Sequence, residues 1–225
     1  LEGATGALTE SVRSFAAAHE GFAVRALKLF GRLGSWAETE DSDDKLSLLW
    51  SLSWADLIAQ VIKAHPASVE VQREGVYAMG MWAWSDLTPN AQILTKLFCS
   101  VGAVEMAVVA IPCRGSWRLS QTLHFFIRAS SDVADAVVRA GGVPALLSAL
   151  SHQDSIALDV NHSLRALKAV AEKKPHWQQV RDHVGDETVL AAMRAFASSE
   201  EVQKSGRDLL RVFHGMGSRM LGSQK

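Results

Sequence analysis

The sequence predicts an all-α protein built from a repeated helical unit. Strand signals are almost absent from the 225 residues, because no run of alternating Val, Ile and Thr is bounded by turn pairs. Ala, Leu, Val, Arg and Glu instead recur at helical spacing along nearly the whole chain. Glycines and apolar pairs also recur at intervals of about 40 residues, the period of stacked helical repeats.

The composition is that of a folded chain with a sizeable core, with 48% hydrophobic and 21% charged residues. A formal net charge of −1, from 23 basic and 24 acidic residues, gives no overall field that would attract nucleic acid. A nucleic-acid partner is therefore not expected. The longest apolar stretch, residues 101–113, is interrupted by Glu105 and Pro112 and predicts a core helix rather than a transmembrane segment.

The cysteines argue against a disulfide framework and a structural zinc site, since Cys99 and Cys113 have neither CxxC nor zinc-finger spacing. They favour an intracellular location, with the cytoplasm as the default. The first residue is Leu1 rather than methionine. We therefore expect a fragment or a processed form, consistent with a place in a larger chain or complex.

The clearest repeat unit covers residues 132–173. Residues 132–140 predict a short helix that ends at Gly141 and Gly142. Pro144 opens a second helix that reaches Leu150, and residues 155–173 predict a longer third helix. The unit is therefore a short helix, a glycine turn, a second helix, another turn and a long helix.

The same unit recurs on both sides. An offset of 43 residues toward the C-terminus aligns Gly185 with Gly142, and an offset of 40 residues toward the N-terminus aligns Gly102 with Gly142. The third helices carry an adjacent apolar pair at equivalent positions: Ala26 and Leu27, Ala78 and Met79, Phe126 and Ile127, Ala166 and Leu167, and Leu209 and Leu210. Such units bury their apolar faces against their neighbours.

The segment 137–147, Val-Val-Arg-Ala-Gly-Gly-Val-Pro-Ala-Leu-Leu, resembles the junction between the first and second helices of armadillo repeats, which are related to HEAT repeats. The resemblance extends over residues 46–213 and is strongest around Gly142. It implies a right-handed α-solenoid of about four to five armadillo-type repeats.

The repeat map predicts one armadillo-like domain over residues 1–225. Its parts are an incomplete repeat at 4–34, an acidic loop at 35–45, repeats at 46–84, 90–130, 131–174 and 175–213, and a tail at 214–225. Five carboxylates lie between Glu38 and Asp44. Since like charges repel, this segment predicts a solvated linker, with an acidic docking segment as the alternative.

No constellation of catalytic or metal-binding residues is found. The eight histidines form no HExxH motif, and His176 and His183 could share one helix face but have no trio of carboxylates nearby. Ser116 has no nucleophile elbow around it, and no orienting group can be identified for a pair of Cys113 and His124. We therefore predict a non-enzyme with no cofactor and no metal.

Four of the seven tryptophans, Trp50, Trp54, Trp82 and Trp84, cluster near the second repeat. They predict side chains that fill gaps between repeats, because protein interiors tolerate few voids. The alternative is an exposed binding role, for which tryptophan is also enriched.

The armadillo resemblance implies that the third helices line a concave groove. Residues spaced four apart on each third helix give the candidate partner-binding residues: Arg25, Arg73, Tyr77, Met81, Gln121, Phe125, Asn161, Arg165, Lys204 and Asp208. The alternative is that they form only the solvated side of each helix.

The nuclear-import receptors of this family grip basic peptides with a tryptophan followed four residues later by an asparagine. In this chain those positions read Tyr77 and Met81 in one repeat and Arg165 and Ala169 in another, so the ladder is absent. The arginines and lysine among the candidates indicate an acidic or mixed-charge protein partner. The sequence thus predicts a non-catalytic protein-interaction scaffold for an extended or helical segment, with a structural subunit of a large assembly as the alternative.

Overall fold

The computed structural model describes residues 2–36, 54–83, 95, 99–100, 102–111, 117–151 and 155–222. All regular structure in these residues is helical, without a strand. The chain divides into two compact units, residues 1–106 and 107–225. The single domain over 1–225 stays a prediction, and most of the acidic loop at 35–45 lies outside the described residues, as do Trp50 and Cys113.

The first unit contains two helix pairs. Its helices are α1 (Glu2–Ala18), α2 (Glu20–Trp36), α3 (Trp54–Ala64) and α4 (Val69–Ala83), and α5 (Ala103–Ala110) crosses the boundary with the second unit. The predicted apolar positions Leu27 and Met79 are fully buried, and the Phe30 and Trp54 rings pack edge to face with centroids 4.4 Å apart. Trp54 therefore has the packing role predicted for it.

The second unit contains the clearest triplet. Its helices are α6 (Trp117–Ala129), α7 (Ser131–Arg139), α8 (Gly142–Ser151), α9 (Ala157–Ala171), α10 (Trp177–Ala195) and α11 (Glu200–Gly222), with a 3₁₀ turn at Lys174–His176. Helices α7, α8 and α9 match the short helix, second helix and long helix predicted for residues 132–173. The pair Ala166 and Leu167 is fully buried, as are Phe126 and Ile127.

The turn between α7 and α8 depends on two glycines for different reasons. Gly141 has φ +79°, a left-handed conformation that costs little only for glycine. Gly142 is buried, and a Cβ placed on it would lie 2.8 Å from the carbonyl oxygen of Val137. The first glycine therefore permits the reversal of the chain, and the second permits close helix packing.

The same turn recurs at Gly102, with φ +80°, and at Gly185, with φ +65°. Gly185 breaks α10 into two helical segments, which are the first and second helices of the next triplet. The structure corrects the alignment here: Gly102 and Gly185 are equivalent to Gly141 rather than to Gly142. The backbone conformation decides the register, because only the left-handed position is common to the three turns.

Among the described residues, no single helix is long and apolar enough to cross a membrane. Helices α7 and α8 together have such a length and composition, but they are bent by 75° to each other. Their apolar side chains Val133, Val137 and Leu146 are buried in the second unit.

Candidate partner-binding cavity

Three helices of the second unit, α6, α9 and α11, surround an open cavity of about 570 Å³. Each is the third helix of its repeat. The cavity is lined by His124, Arg128, Asn161, Arg165, Lys168, Ala169, Glu172, Glu201, Lys204, Ser205 and Asp208. This volume is within the range of pockets that hold small ligands, roughly 300–1,000 Å³.

The cavity brings together four residues that the sequence predicted for partner binding. Asn161 and Arg165 come from α9, and Lys204 and Asp208 come from α11. Gln121, the predicted residue one turn before Phe125 on α6, is half-buried and does not line the cavity.

Two predicted apolar contacts lie inside the packing. Phe125 is 6% exposed and its ring lies 5.6 Å from that of His124, while Met81 is 4% exposed. Neither side chain lines the cavity, and side chains this buried outside a cavity offer a partner almost no surface. The structure therefore assigns Phe125 and Met81 to packing, and we do not retain them as exposed anchors.

The remaining predicted residues belong to the first unit. Arg25 is exposed and its Nε donates to the carbonyl oxygen of Gly21 at 3.2 Å. Arg73 is half-buried, with its guanidinium 3.3 Å from the carboxylate of the buried Glu74. Tyr77 is also half-buried. A single surface that joins these residues to the cavity of the second unit stays a prediction.

His124 and Arg165 form the centre of the cavity wall. The Nδ1 of His124 lies 3.2 Å from the carbonyl oxygen of Arg165, and the Arg165 guanidinium nitrogen Nη2 lies 3.4 Å from Nε2 of His124. A carbonyl only accepts and a guanidinium only donates, so these partners select the neutral imidazole that is protonated at Nδ1. His124 thus holds both the backbone and the side chain of Arg165.

The histidines beside Arg165 are kept uncharged. Burial, reinforced by the charge of Arg165, lowers the pKa of His124 from 6.5 to about 4, and the same two causes lower the pKa of His162 to about 4. Burial also lowers the pKa of Arg165, and the neighbouring charge of Arg128 adds to that effect. The arginine still keeps its proton, since a guanidinium titrates far above neutral pH.

The cavity has more unpaired cations than unpaired anions. Lys168 is paired with Glu172 at 3.1 Å along α9, and Asp208 is paired with Arg211 at 2.9 Å along α11. Lys204 has neither an ion pair nor a hydrogen bond within the described part of the chain, and no described carboxylate lies within 4 Å of the Arg165 guanidinium. Two positively charged side chains, those of Arg165 and Lys204, therefore line the cavity without forming an ion pair to a described carboxylate.

Buried polar contacts fix the helices around the cavity. Ser205 of α11 donates to Oδ1 of Asn161 on α9 at 2.6 Å, and the hydroxyls of Ser120 on α6 and Ser163 on α9 are 3.1 Å apart. Each of these bonds joins third helices of successive repeats. Because they are buried, breaking one leaves a polar group unpaired, which makes the arrangement rigid.

The sequence pattern missed several lining residues. Arg128 and Lys168 each lie three positions after a predicted residue, Phe125 and Arg165 respectively, on the same broad helix face. A wider face, including the positions three residues from each column, would have included both. His124 could not be found this way, because its contact with Arg165 depends on how α6 packs against α9.

The described residues contain no group of three or more His, Cys, Asp or Glu side chains arranged to hold a metal. His124, considered as a base for Cys113, instead packs against Arg165, and Cys113 lies outside the described residues. The cavity is thus lined mainly by charged and polar side chains.

Comparison with known proteins identifies the fold. No protein-family model and no curated protein matches the chain. An engineered protein with 16% identity matches over 92% of this chain and 89% of its own, with a TM-score of 0.62. A designed armadillo repeat protein with 14% identity matches over 92% of each chain, with a TM-score of 0.56. The chain has the armadillo fold.

The predicted all-α solenoid of armadillo-type repeats is thereby confirmed. A second designed armadillo repeat protein, solved in complex with the peptide (KR)4, matches over 92% of this chain and 99% of its own at 16% identity, with a TM-score of 0.55. In the armadillo fold of this chain, the cavity lies between the third helices of the second unit.

Proposed function

We propose that the chain is a non-catalytic interaction scaffold that binds an extended or helical segment of an acidic or mixed-charge protein partner. The segment binds in the cavity between α6, α9 and α11. The observation that carries the proposal is the half-buried guanidinium of Arg165, which faces this cavity without a carboxylate partner.

The energetics favour a ligand at this position. A charge that is partly removed from water is costly unless it is paired, and pairing it with a carboxylate recovers that cost. Arginine presents a planar fork that matches a carboxylate with two parallel hydrogen bonds. His124 holds the side chain before the partner arrives, so little conformational entropy is lost when it binds.

The charge of the cavity argues against a basic ligand. The designed armadillo protein that was solved with (KR)4 has a peptide of alternating lysine and arginine. Here Arg165 and Lys204 would repel such a peptide, and the tryptophan and asparagine ladder is absent from the third helices. The partner segment therefore carries carboxylates near its centre.

The first unit extends the proposal. Arg25, Arg73 and Tyr77 occupy equivalent third-helix positions there, and each of them has some solvent exposure. Arginine and tyrosine are enriched at interfaces, where they supply planar donors and a large contact area. In this proposal they contact the same partner.

Selection from a random peptide library displayed on phage tests the proposal. We expect the selected peptides to be rich in Asp and Glu, and we expect Arg165→Glu to weaken their binding by at least tenfold in calorimetry. The matched control is Arg194→Glu on α10, whose guanidinium pairs with the exposed Glu187 outside the cavity. Basic selected peptides, or equal losses in both variants, would overturn the proposal.

One observation favours the structural-subunit alternative. Phe15 is 56% exposed and Phe22 is 39% exposed, and their rings lie 6.0 Å apart on α1 and α2. An exposed aromatic pair is typical of a surface that is covered in an assembly. If Phe15→Ser with Phe22→Ser disrupts a native complex while Arg165→Glu leaves it intact, the alternative is the correct function.

A further inference from the structure

Of the described residues, four basic and three acidic side chains line the cavity, and two of the three carboxylates, those of Glu172 and Asp208, are already paired with basic side chains on their own helices. Of the lining cations, Lys168 is paired with Glu172, whereas Arg165 and Lys204 face the cavity without a carboxylate. Arg128 lines the same cavity, and its charge disfavours the charged form of Arg165. Positive groups from α6, α9 and α11 therefore converge, although they repel one another.

The lining acids do not cancel this charge. Glu172 and Asp208 are each held by a basic side chain on their own helix, and Glu201 accepts a hydrogen bond from the Ser199 hydroxyl at 3.1 Å in the first turn of α11. A carboxylate is favourable at a helix N-terminus, so Glu201 is stabilised there without a cation from the cavity.

The polar groups that remain available are donors. Oδ1 of Asn161 accepts from Ser205, which leaves its Nδ2 group to donate, and His124 contacts one guanidinium nitrogen of Arg165. The other donors of Arg165 and the ammonium of Lys204 are not used within the described residues. The site thus offers a guanidinium, an ammonium and an amide to one multidentate acceptor.

We propose that the anchor of the partner segment is a phosphorylated side chain, a phosphate monoester bound between Arg165 and Lys204. This inference rests on the proposed function, since it names the chemical group through which the cavity holds its partner. A phosphate monoester has about −1.5 to −2 charges at neutral pH and three strong acceptor oxygens. It neutralises both cations at once and accepts from Asn161 as well.

A carboxylate is the weaker match. It has a single charge and two oxygens, so pairing it with Arg165 leaves Lys204, on a different helix of the same cavity, without an ion pair among the described residues. Arginine binds phosphate with two parallel hydrogen bonds, and lysine binds it as a point charge, which is the combination present here. The cavity of about 570 Å³ also has room for the tetrahedral group together with flanking residues of the segment.

The test uses capped pentapeptides with the sequence Ala-Ala-X-Ala-Ala, in which X is phosphoserine, glutamate or serine, together with inorganic phosphate alone. Each probe is titrated into the full 225-residue chain and followed by the amide resonances of α9 and α11. We expect the phosphoserine peptide to bind at least tenfold more tightly than the glutamate peptide. We expect the serine peptide to cause no saturable shift.

Variants separate the cavity from the rest of the surface. We expect Lys204→Gln and Arg165→Gln each to weaken binding of the phosphoserine peptide by about tenfold. Lys204 is exposed, so its substitution should leave the fold intact. Arg194→Gln, outside the cavity, should leave it unchanged. Equal losses in the cavity variants and in Arg194→Gln would overturn the inference.

The outcomes distinguish this inference from the proposed function. If the glutamate peptide binds as tightly as the phosphoserine peptide, the phosphate inference fails and the acidic-segment scaffold stands. If inorganic phosphate binds as tightly as the phosphoserine peptide, the site is one for a free anion and the inference also fails. If neither peptide shifts the cavity amides and the phage selection yields no acidic peptide, both proposals fail.

Discussion

Gly142→Ala should destabilise the protein by about 2–3 kcal/mol, because the new methyl group has no room. Its Cβ would lie 2.8 Å from the carbonyl oxygen of Val137, still closer to Cγ1 of the same residue, and 3.2 Å from Cγ2 of Val108. A backbone oxygen cannot rotate away, so α7 and α8 must separate. Overpacking of this kind costs about 1–3 kcal/mol, and a backbone displacement belongs at the upper end.

Two matched glycines isolate this cause. Gly141 has open space around its Cβ position but φ +79°, so Gly141→Ala should cost about 1–2 kcal/mol and Gly141→Asn less, since asparagine tolerates that conformation. Gly215 in α11 has open space and ordinary helical geometry, so Gly215→Ala should stabilise by about 0.5–1 kcal/mol.

Urea denaturation followed by circular dichroism at 222 nm measures the free energy of unfolding of each variant. The expected order of stability is Gly215→Ala, wild type, Gly141→Asn, Gly141→Ala and Gly142→Ala. If Gly142→Ala is as stable as the wild type, the close packing of α7 on α8 is wrong. If Gly141→Asn is no better than Gly141→Ala, the left-handed conformation at that turn is wrong.

Two further predictions concern the polar interior of the second unit. Burial lowers the pKa of both His124 and His162 from 6.5 to about 4, so the unfolded chain binds these two protons more tightly between those values, and stability falls as the pH is lowered through that window. Urea titration at pH 7 and pH 5 should show a loss of about 4 kcal/mol at the lower pH, about 2 kcal/mol from each histidine. Ser205→Ala should cost about 1–3 kcal/mol in the same assay, because it leaves the buried Oδ1 of Asn161 unpaired.

Each of these has its own control. The variant His162→Gln should remove about half of the stability loss between pH 7 and pH 5, because His124 still contributes its share, and an unchanged dependence would show that His162 does not contribute. Ser148→Ala removes an exposed hydroxyl that bonds only within its own helix, so it should cost less than about 0.5 kcal/mol. Equal effects of Ser148→Ala and Ser205→Ala would contradict the role of the buried bond.

The repeats could be predicted because local signals and burial agree. The adjacent apolar pair of the third helix is buried in four repeats, as with Ala166 and Leu167, whereas in the last repeat Leu209 is buried and Leu210 is half-buried. A glycine turn precedes the second helix in three of the described repeats. The predicted alignment of the glycine turns was wrong by one residue, because positions 141 and 142 are both glycine and the sequence does not distinguish them. Only the positive φ of Gly141 shows which of the two is equivalent to Gly185.

The cavity could be predicted only in part. A helical period of 3.6 placed Asn161 and Arg165 on one face of α9, and the structure has them lining the cavity. The same rule failed for Phe125, because helix period defines a face but not whether a neighbouring helix covers it. The lowered pKa of His124 arises from burial and the nearby Arg165, which no spacing in the sequence records.

A charge-reversal cycle tests most directly the claim that the cavity of the second unit binds an acidic segment. The selected acidic peptide, and a form with its central acidic residue changed to arginine, are each titrated by calorimetry into the wild-type chain and into Arg165→Glu. We predict that the reversed peptide binds Arg165→Glu better than the unchanged peptide does, with a coupling free energy of at least about 1.4 kcal/mol, which is tenfold in affinity. Additive effects, with no recovery of binding in the doubly reversed pair, would contradict the account.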